Sequence, residues 1–104
     1  MLALFTDFTF DGPYVGQMKA VLHRDAPGLP IIDLMHDAPA FDPQSSAYLL
    51  ASLAEEFPQG TVFVAVVDPG VGTDRRPIVA EIDGRWFVGP DNGLLGILVR
   101  RAGQ

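Results

Sequence analysis

Residues 61–76 read TVFVAVVDPGVGTDRR, and this stretch decides the fold. Its first seven residues are nearly all β-branched or apolar, which predicts a strand buried on both faces, as in a parallel sheet. The strand ends at Asp68, and Pro69 with two glycines then turns the chain sharply. Ligands of α/β folds bind at the carboxyl ends of strands, so Asp68 is expected to face a crevice. Arg75 can fold back over this carboxylate and keep it ionised. The competing interpretation is a surface loop with a capping Asp and a solvated salt bridge.

The rest of the chain alternates between strand and helix patterns. The predicted elements are a strand over 2–6, a helix from Pro13 to about Arg24, a strand over 31–34, a helix from Pro43 to Phe57, the strand over 61–67, a hairpin of 78–82 and 85–88 around Asp83-Gly84, and a last helix from about Asp91. This order predicts the α/β class: a three-layer parallel sheet with flanking helices, plus a β-hairpin.

Each predicted helix carries an apolar face. In the first helix this face holds Tyr14, Val15, Met18, Val21 and Leu22. In the second helix the residues expected to face inward are Ala47, Leu50, Ala54 and Phe57, and the third helix carries Leu94, Leu95, Leu98 and Val99. Asp42 is expected to cap the second helix, with Pro43 in its first turn.

Composition narrows the class of protein. The chain has 104 residues, a net charge of −6 and no Cys. The acidic balance disfavours nucleic acid and anionic membranes as partners. The absence of Cys and of a basic, apolar leader fits a cytoplasmic protein. Mean hydropathy is +0.23, high for a small soluble domain. We therefore expect apolar surface that meets another domain or subunit.

Three carboxylates are expected along one edge of the sheet. Asp7, Asp33 and Asp68 are each predicted at the carboxyl end of a strand. Asp7 could accept two hydrogen bonds from ribose hydroxyls, or it could cap the helix that follows. His23 and His36 lack the spacing of metal ligands, so no metal site is expected.

Two other segments have open interpretations. Phe41 could stack on a flat ligand or pack beneath the second helix. Asn92, in the segment Pro90-Asp91-Asn92-Gly93, could contact a ligand or cap the last helix. Matches to other enzyme classes are poor. A phosphatase of the haloacid dehalogenase type has Asp-x-Asp after its first strand, but here the second Asp, Asp11, is four residues after Asp7. The glycines after Asp68 resemble a dinucleotide-binding motif, but the third glycine and the following helix of that motif are missing.

Five motifs in order resemble one known family across nearly the whole chain. They are Phe5-Thr6-Asp7-Phe8 with Pro13-Tyr14-Val15-Gly16-Gln17-Met18-Lys19, Asp33-Leu34-Met35-His36, Phe57-Pro58-x-Gly60-Thr61-Val62, Val67-Asp68-Pro69-Gly70-Val71-Gly72-Thr73 with Arg75-Arg76, and Gly89-Pro90-Asp91-Asn92-Gly93-Leu94-Leu95. The family is the S-adenosylmethionine hydroxide adenosyltransferases, which also contains the fluorinase and chlorinase.

The resemblance implies a reaction and residue roles. Water would attack C5′ of S-adenosylmethionine, which is the substrate, giving adenosine and methionine without any cofactor. Asp7 matches the carboxylate that holds the ribose hydroxyls. Asp68 and Arg75 match two members of a water-activating Asp–Arg–His set. Phe41 matches an aromatic residue at the substrate, and Thr73 and Asn92 are likewise expected to bind substrate. His36 belongs to a different motif from the His of the set.

The resemblance also sets expectations for domains and assembly. Residues 1–104 would form an incomplete N-terminal α/β domain, without the family's C-terminal β-barrel-like domain, and would be inactive alone. Family members form trimers with active sites between subunits. Thr9 stands where the family usually has Gly, a difference expected to stiffen or shift the loop after Asp7. The alternatives are a non-catalytic adenosyl-binding or assembly module and, second, a halogenase. In halogenases an aromatic hydroxyl residue replaces Asp68 and an extra loop enlarges the hairpin.

Overall fold

A five-stranded sheet organises the chain. The computed structural model describes residues 1–39, 42–67, 77–90 and 94–102. The elements are β1 (Leu2–Thr6), α1 (Tyr14–Asp25), β2 (Ile31–Met35), α2 (Pro43–Ala54), β3 (Val62–Val66), β4 (Pro77–Ile82), β5 (Arg85–Pro90) and α3 (Leu94–Ala102). The strand order is β2-β1-β3-β5-β4, with β4 antiparallel to β5 and the other pairs parallel. The predicted α/β class with a hairpin is confirmed.

The main core lies between one face of the sheet and the helices α2 and α3. Its members are Ala3, Phe5, Ala38, Ala47, Leu50, Ala54, Phe63, Ala65, Val67, Phe87, Leu94, Leu95 and Leu98. Phe63 stacks on Phe87 with ring centroids 5.0 Å apart, and Phe57 meets the edge of Phe63 at 5.2 Å. Burying one such ring contributes roughly 1.5–3 kcal/mol, so these aromatic residues hold β3 and β5 together beneath the helices.

The opposite face is covered less completely. Lys19 of α1 reaches Asp33, the register partner of Leu4, which places α1 over the face of Leu4. Within α1 only Val15 is buried, whereas Tyr14 and Val21 are 60% and 45% exposed, so the apolar face of this helix is buried only in part. The outward side chains of β3 are only half-buried, which also corrects the predicted burial of β3 on both faces.

Helix α2 starts at the predicted residue, Pro43, and ends three residues before the predicted end at Phe57. Asp42 caps it by accepting the backbone N–H of Ser45 at 3.0 Å and the Ser45 hydroxyl at 2.7 Å. The helix ends at Ala54 because the N–H of Phe57 bonds the Ala54 carbonyl, an i→i−3 bond that tightens the last turn. Arg85 Nε then donates to the Phe57 carbonyl at 2.8 Å and helps to close this end. Phe57 is outside α2 yet still packs on the core, as predicted.

The hairpin of β4 and β5 closes in two residues. Asp83 and Gly84 have φ of 53° and 79°, and Ile82 pairs with Arg85. Two positive φ values are the signature of a type I′ turn, which matches the twist of the flanking strands. The turn predicted from Asp83-Gly84 is confirmed.

Helix α3 buries most of its predicted face. Leu94, Leu95 and Leu98 are buried, but Val99 is 49% exposed and does not join the core. The predicted start of this helix at Asp91-Asn92 lies outside the described residues. Within the described part of the chain, no helix combines the length and apolar character needed to cross a bilayer.

Candidate active site

Asp7 lies at the carboxyl edge of the parallel sheet. Thr6 pairs with Val66, so β1 and β3 end side by side, and the N–H of Asp7 donates to the Val66 carbonyl at 3.3 Å. Asp7 is half-buried there. This edge is where α/β folds bind ligands, and a carboxylate at this position can accept hydrogen bonds from a polar ligand.

The other predicted site residues lie outside the described residues. These are Phe41, Asp68, Thr73, Arg75 and Asn92. Asp68 follows Val67 in the sequence, and Val67 lies one residue beyond the end of β3. The shared cavity of Asp7 and Asp68 therefore stays a prediction, consistent with the adjacent ends of β1 and β3.

Asp33 is not at the end of its strand, so that prediction was wrong. It is the central residue of β2, and its carboxylate is bound from both sides. Lys19 Nζ donates to Oδ2 at 2.6 Å, and His36 Nε2 lies 2.7 Å from Oδ1. Asp33 therefore joins α1 to the chain after β2 instead of facing the ligand edge.

An irregularity in β2 brings Asp33 and His36 together. Residues three apart in a regular strand point to opposite faces. Here Leu4 pairs with Asp33 but Phe5 pairs with Met35, so the register shifts by one residue. The shift turns both Asp33 and His36 towards the face of Leu4 and Thr6, where His36 Nδ1 lies 2.6 Å from Thr6 Oγ1.

The contacts of Asp33 also determine its titration. Partial burial alone would raise the pKa of Asp33, but the hydrogen bonds from Lys19 and His36 outweigh it and hold the pKa below the ordinary value of 3.8. An Asp with a lowered folded-state pKa stabilises the fold above its unfolded pKa, and this stabilisation is lost as the pH falls through the folded-state value.

We expect Asp33→Asn to remove part of the acid sensitivity of folding. Near neutral pH the variant should be less stable than the wild type by up to about 1 kcal/mol, because a half-exposed ion pair contributes no more. The difference should shrink as the pH falls below 3.8. Urea unfolding at a series of pH values measures this. Asp25→Asn is the matched control, since its ion pair with Arg24 is exposed on both sides. A stability gap between wild type and Asp33→Asn that persists at low pH would contradict the assignment.

The loop after β1 has an unusual backbone. Thr9 has a φ of 58°, in the left-handed region that favours glycine. Thr9 thus adopts a backbone conformation suited to Gly, the residue that the family usually has here, and the expected stiffening or shift of the loop stays a prediction. The N–H of Thr9 donates to the His36 carbonyl at 2.6 Å, which holds the loop against the end of β2.

Clefts open on the surface of the described part of the chain, and two of them bear on the location of the site. One of about 350 Å³ opens beside this loop and is lined by Thr9, Phe10, Asp33, Leu34, Met35, His36 and Asp37. The other, of about 200 Å³, lies between α2, α3 and the hairpin. Asp83 lines it, which places it at the amino end of β5 and away from the ligand edge. The cleft beside the Asp7 loop is therefore the relevant one. Among the described residues, no three His, Cys, Asp or Glu side chains cluster as metal ligands.

The family comparison fits this geometry. Residues 2–104 match the SAM hydroxide adenosyltransferase N-terminal domain. The chain belongs to this family. A protein of Thermus thermophilus named (R)-S-adenosyl-L-methionine hydrolase is 50% identical over 90 residues, covering 86% of this chain and 34% of the relative. One of the same name from Methanocaldococcus jannaschii is 38% identical, covering 99% of this chain and 41% of the relative.

More distant relatives and solved structures agree with the family. A fluorinase of Actinoplanes is 25% identical over 126 residues, more than this chain contains, so the fluorinase segment carries insertions. The crystal structure of an uncharacterized conserved protein from Thermotoga maritima superposes with a TM-score of 0.86 at 38% identity, covering 97% of this chain and 39% of that one. This member of the SAM hydroxide adenosyltransferase family therefore spans between a third and half of the length of its relatives.

Proposed function

We propose that the protein to which this chain belongs hydrolyses (R)-S-adenosyl-L-methionine to adenosine and L-methionine. The observation that carries this proposal is the 50% identity with the hydrolase of that name. The position of Asp7, at the carboxyl edge between the ends of β1 and β3, supports it because a ribose-binding carboxylate belongs at that edge.

The reaction is an in-line displacement at C5′. The oxygen of water forms a bond to C5′ while the bond from C5′ to sulfur breaks, and the sulfur keeps the electron pair as the neutral thioether of methionine. One proton of the water is released. Because a sulfonium leaves without protonation, the site needs only an oriented nucleophile and an acceptor for that proton. No cofactor is required for these steps.

The proposed residue roles follow the family resemblance. Asp7 holds the ribose hydroxyls, while Asp68 orients the water and accepts its proton. Arg75 keeps Asp68 ionised. Phe41, Thr73 and Asn92 complete the substrate contacts. The Asp–Arg–His set also needs its His, which His36 does not supply because both of its ring nitrogens are already engaged.

Water is the proposed nucleophile instead of halide. A halide about 4 Å from an ionised Asp68 would be repelled by roughly 4 kcal/mol at an effective dielectric constant near 20. Water, in contrast, can donate a hydrogen bond to the same carboxylate. The two-residue turn at Asp83-Gly84 also leaves the hairpin short, without the enlarged loop that the resemblance associates with halogenases.

We expect the protein expressed from its complete reading frame to release adenosine even in excess chloride or fluoride. It should also prefer the (R) epimer of the sulfonium over the (S) epimer. Separating the products by mass after incubation with each epimer measures both. The wild type without added halide is the control. A halogenated deoxyadenosine as the main product would assign the protein to the halogenases, and the absence of turnover would favour a non-catalytic adenosyl-binding or assembly module.

Assembly and location are part of the same proposal. We propose a homotrimer from the family resemblance, and the exposed Val79 and Trp86 leave apolar surface on the hairpin for another domain or subunit. The absence of Cys and the negative charge support a cytoplasmic protein that acts on a small molecule and not on nucleic acid or membranes.

A further inference from the structure

A chain of hydrogen bonds runs from α1 to the loop that carries Asp7. Lys19 Nζ lies 2.6 Å from Asp33 Oδ2, Asp33 Oδ1 lies 2.7 Å from His36 Nε2, and His36 Nδ1 lies 2.6 Å from Thr6 Oγ1. Thr6 Oγ1 in turn accepts the N–H of Phe8 at 3.2 Å. His36 and Thr6 are buried, whereas Lys19 and Asp33 are about one-third exposed.

With a neutral His36, the following assignment of protons satisfies every link. The Asp33 carboxylate only accepts, so it takes hydrogen bonds from Lys19 and from the Nε2–H of His36. Nδ1 of His36 is then an acceptor and takes the Thr6 hydroxyl proton. The Thr6 oxygen remains free to accept from Phe8. Within the described residues, no buried side-chain polar atom lacks a partner, in keeping with this assignment.

These hydrogen bonds hold residues on both sides of Asp7. Phe8 follows Asp7 and is held by Thr6, and Thr9 is held by the His36 carbonyl at 2.6 Å. The ring of Phe10 meets the His36 ring edge-on, with centroids 4.9 Å apart. His36 therefore contacts the loop directly through its carbonyl and its ring, and indirectly through Nδ1, which bonds Thr6.

This loop needs such anchors because its backbone is strained. A β-branched residue in the left-handed region costs about 1–2 kcal/mol relative to its relaxed conformation, and Thr9 has a φ of 58°. Without these contacts we expect the loop to relax from this conformation and the carboxylate of Asp7 to shift with it. Small displacements of a binding group are costly because hydrogen bonds demand close geometry.

We infer that His36 is the positioning residue that fixes the Asp7 loop in the conformation that binds the ribose hydroxyls, with Thr6 as its link to the loop and Asp33 and Lys19 as its outer support. The inference rests on the proposed function, in which Asp7 binds ribose. It assigns no proton transfer to His36, which acts only through the loop.

The test measures recognition of the ribose hydroxyls without turnover. Calorimetry with the protein from its complete reading frame gives the Kd of adenosine and of 2′,3′-dideoxyadenosine, and the ratio of the two reports the Asp7 contact. The wild type should prefer adenosine, and Asp7→Ala should abolish that preference. Thr6→Val and His36→Leu should each lower the preference by about tenfold, equivalent to about 1.4 kcal/mol.

The variants separate positioning from mere stability. Thr6→Val keeps His36 and the side-chain shape, so it isolates the link to the loop even if His36→Leu does not fold. His36→Asn, which offers an amide oxygen near the position of Nδ1, should recover part of the preference. His23→Leu is the matched control, since His23 is exposed on α1, and it should leave the ratio unchanged.

Each outcome decides a different point. A preference for adenosine that survives in both Thr6→Val and His36→Leu would overturn the positioning role while leaving the proposed function intact. If these variants bound both nucleosides more weakly and by the same factor, His36 would likewise be assigned to folding alone. A wild type that binds neither nucleoside would overturn the proposed function, and the inference with it.

Discussion

Asp68→Asn should lower kcat for hydrolysis of S-adenosylmethionine by about 10²–10⁴-fold in the protein from its complete reading frame, with little change in KM. The amide keeps the shape of the side chain but removes the charge that orients water and accepts its proton. Substrate binding depends on other groups, Asp7 among them. Steady-state kinetics of adenosine release gives both constants.

Two comparisons make this result specific. Asp74→Asn applies the same chemical change in the same segment, at a residue with no proposed role, and should leave kcat near the wild-type value. Asp7→Asn should show the reverse pattern, raising KM more than it lowers kcat, because it weakens a contact present before and during the reaction. Wild-type turnover by Asp68→Asn would assign Asp68 to structure and remove it from the mechanism.

Gly89→Ala should strongly destabilise the fold, although it adds only one methyl group. A Cβ at Gly89 would overlap the backbone carbonyl oxygen of Ala65 in β3 and lie 3.3 Å from its carbonyl carbon. Backbone cannot move aside as a flexible side chain can, so β3 and β5 must separate at their carboxyl ends. Overpacking of this kind costs typically 1–3 kcal/mol and occasionally more, and we expect about 3 kcal/mol. Urea unfolding measures the free energy of unfolding.

The matched control is a Gly→Ala substitution at a position where the added methyl group meets no other atoms. Gly16 lies in α1, and a Cβ there would meet nothing within 4 Å. Gly16→Ala should therefore raise the free energy of unfolding by about 0.5–1 kcal/mol, since Ala favours helix over Gly. If Gly89→Ala were as stable as the wild type, the close approach of β5 to β3 would be wrong.

Local patterns sufficed to predict most of the elements. The Asp83-Gly84 turn, the Asp42 cap and the strands β1 and β3 each depend on residues close together in sequence. How much of the apolar face of α1 is buried could not be predicted, because apolar spacing marks the face of a helix but not how much of it meets the sheet. The end of α2 depended on Phe57 bonding back to Ala54, a choice between two hydrogen-bond patterns that the sequence leaves open.

The candidate site was partly predictable. Asp7 lies at the predicted edge because its position follows from the end of β1 alone. The link between Thr6 and His36 spans thirty residues and depends on the register shift in β2, which no local pattern shows. The motif Asp33-x-x-His36 was the available signal, but residues three apart in a regular strand point to opposite faces. The roles of Phe41, Asp68, Thr73, Arg75 and Asn92 stay predictions.

The central place of β1 has a consequence for the synthesis of this protein on the ribosome. All five residues of β1 are buried, and β1 pairs with both β2 and β3. Val66, the β3 residue that pairs with Thr6, is synthesised sixty residues after Thr6. This interval is about 3–12 s at ordinary rates of translation. During that time one edge of this apolar strand has no partner, and an unpaired edge is prone to pair with other chains. The bond from the Asp7 N–H to the Val66 carbonyl cannot form earlier, so the backbone of Asp7 is tied to the edge of the sheet only once β3 has left the ribosome.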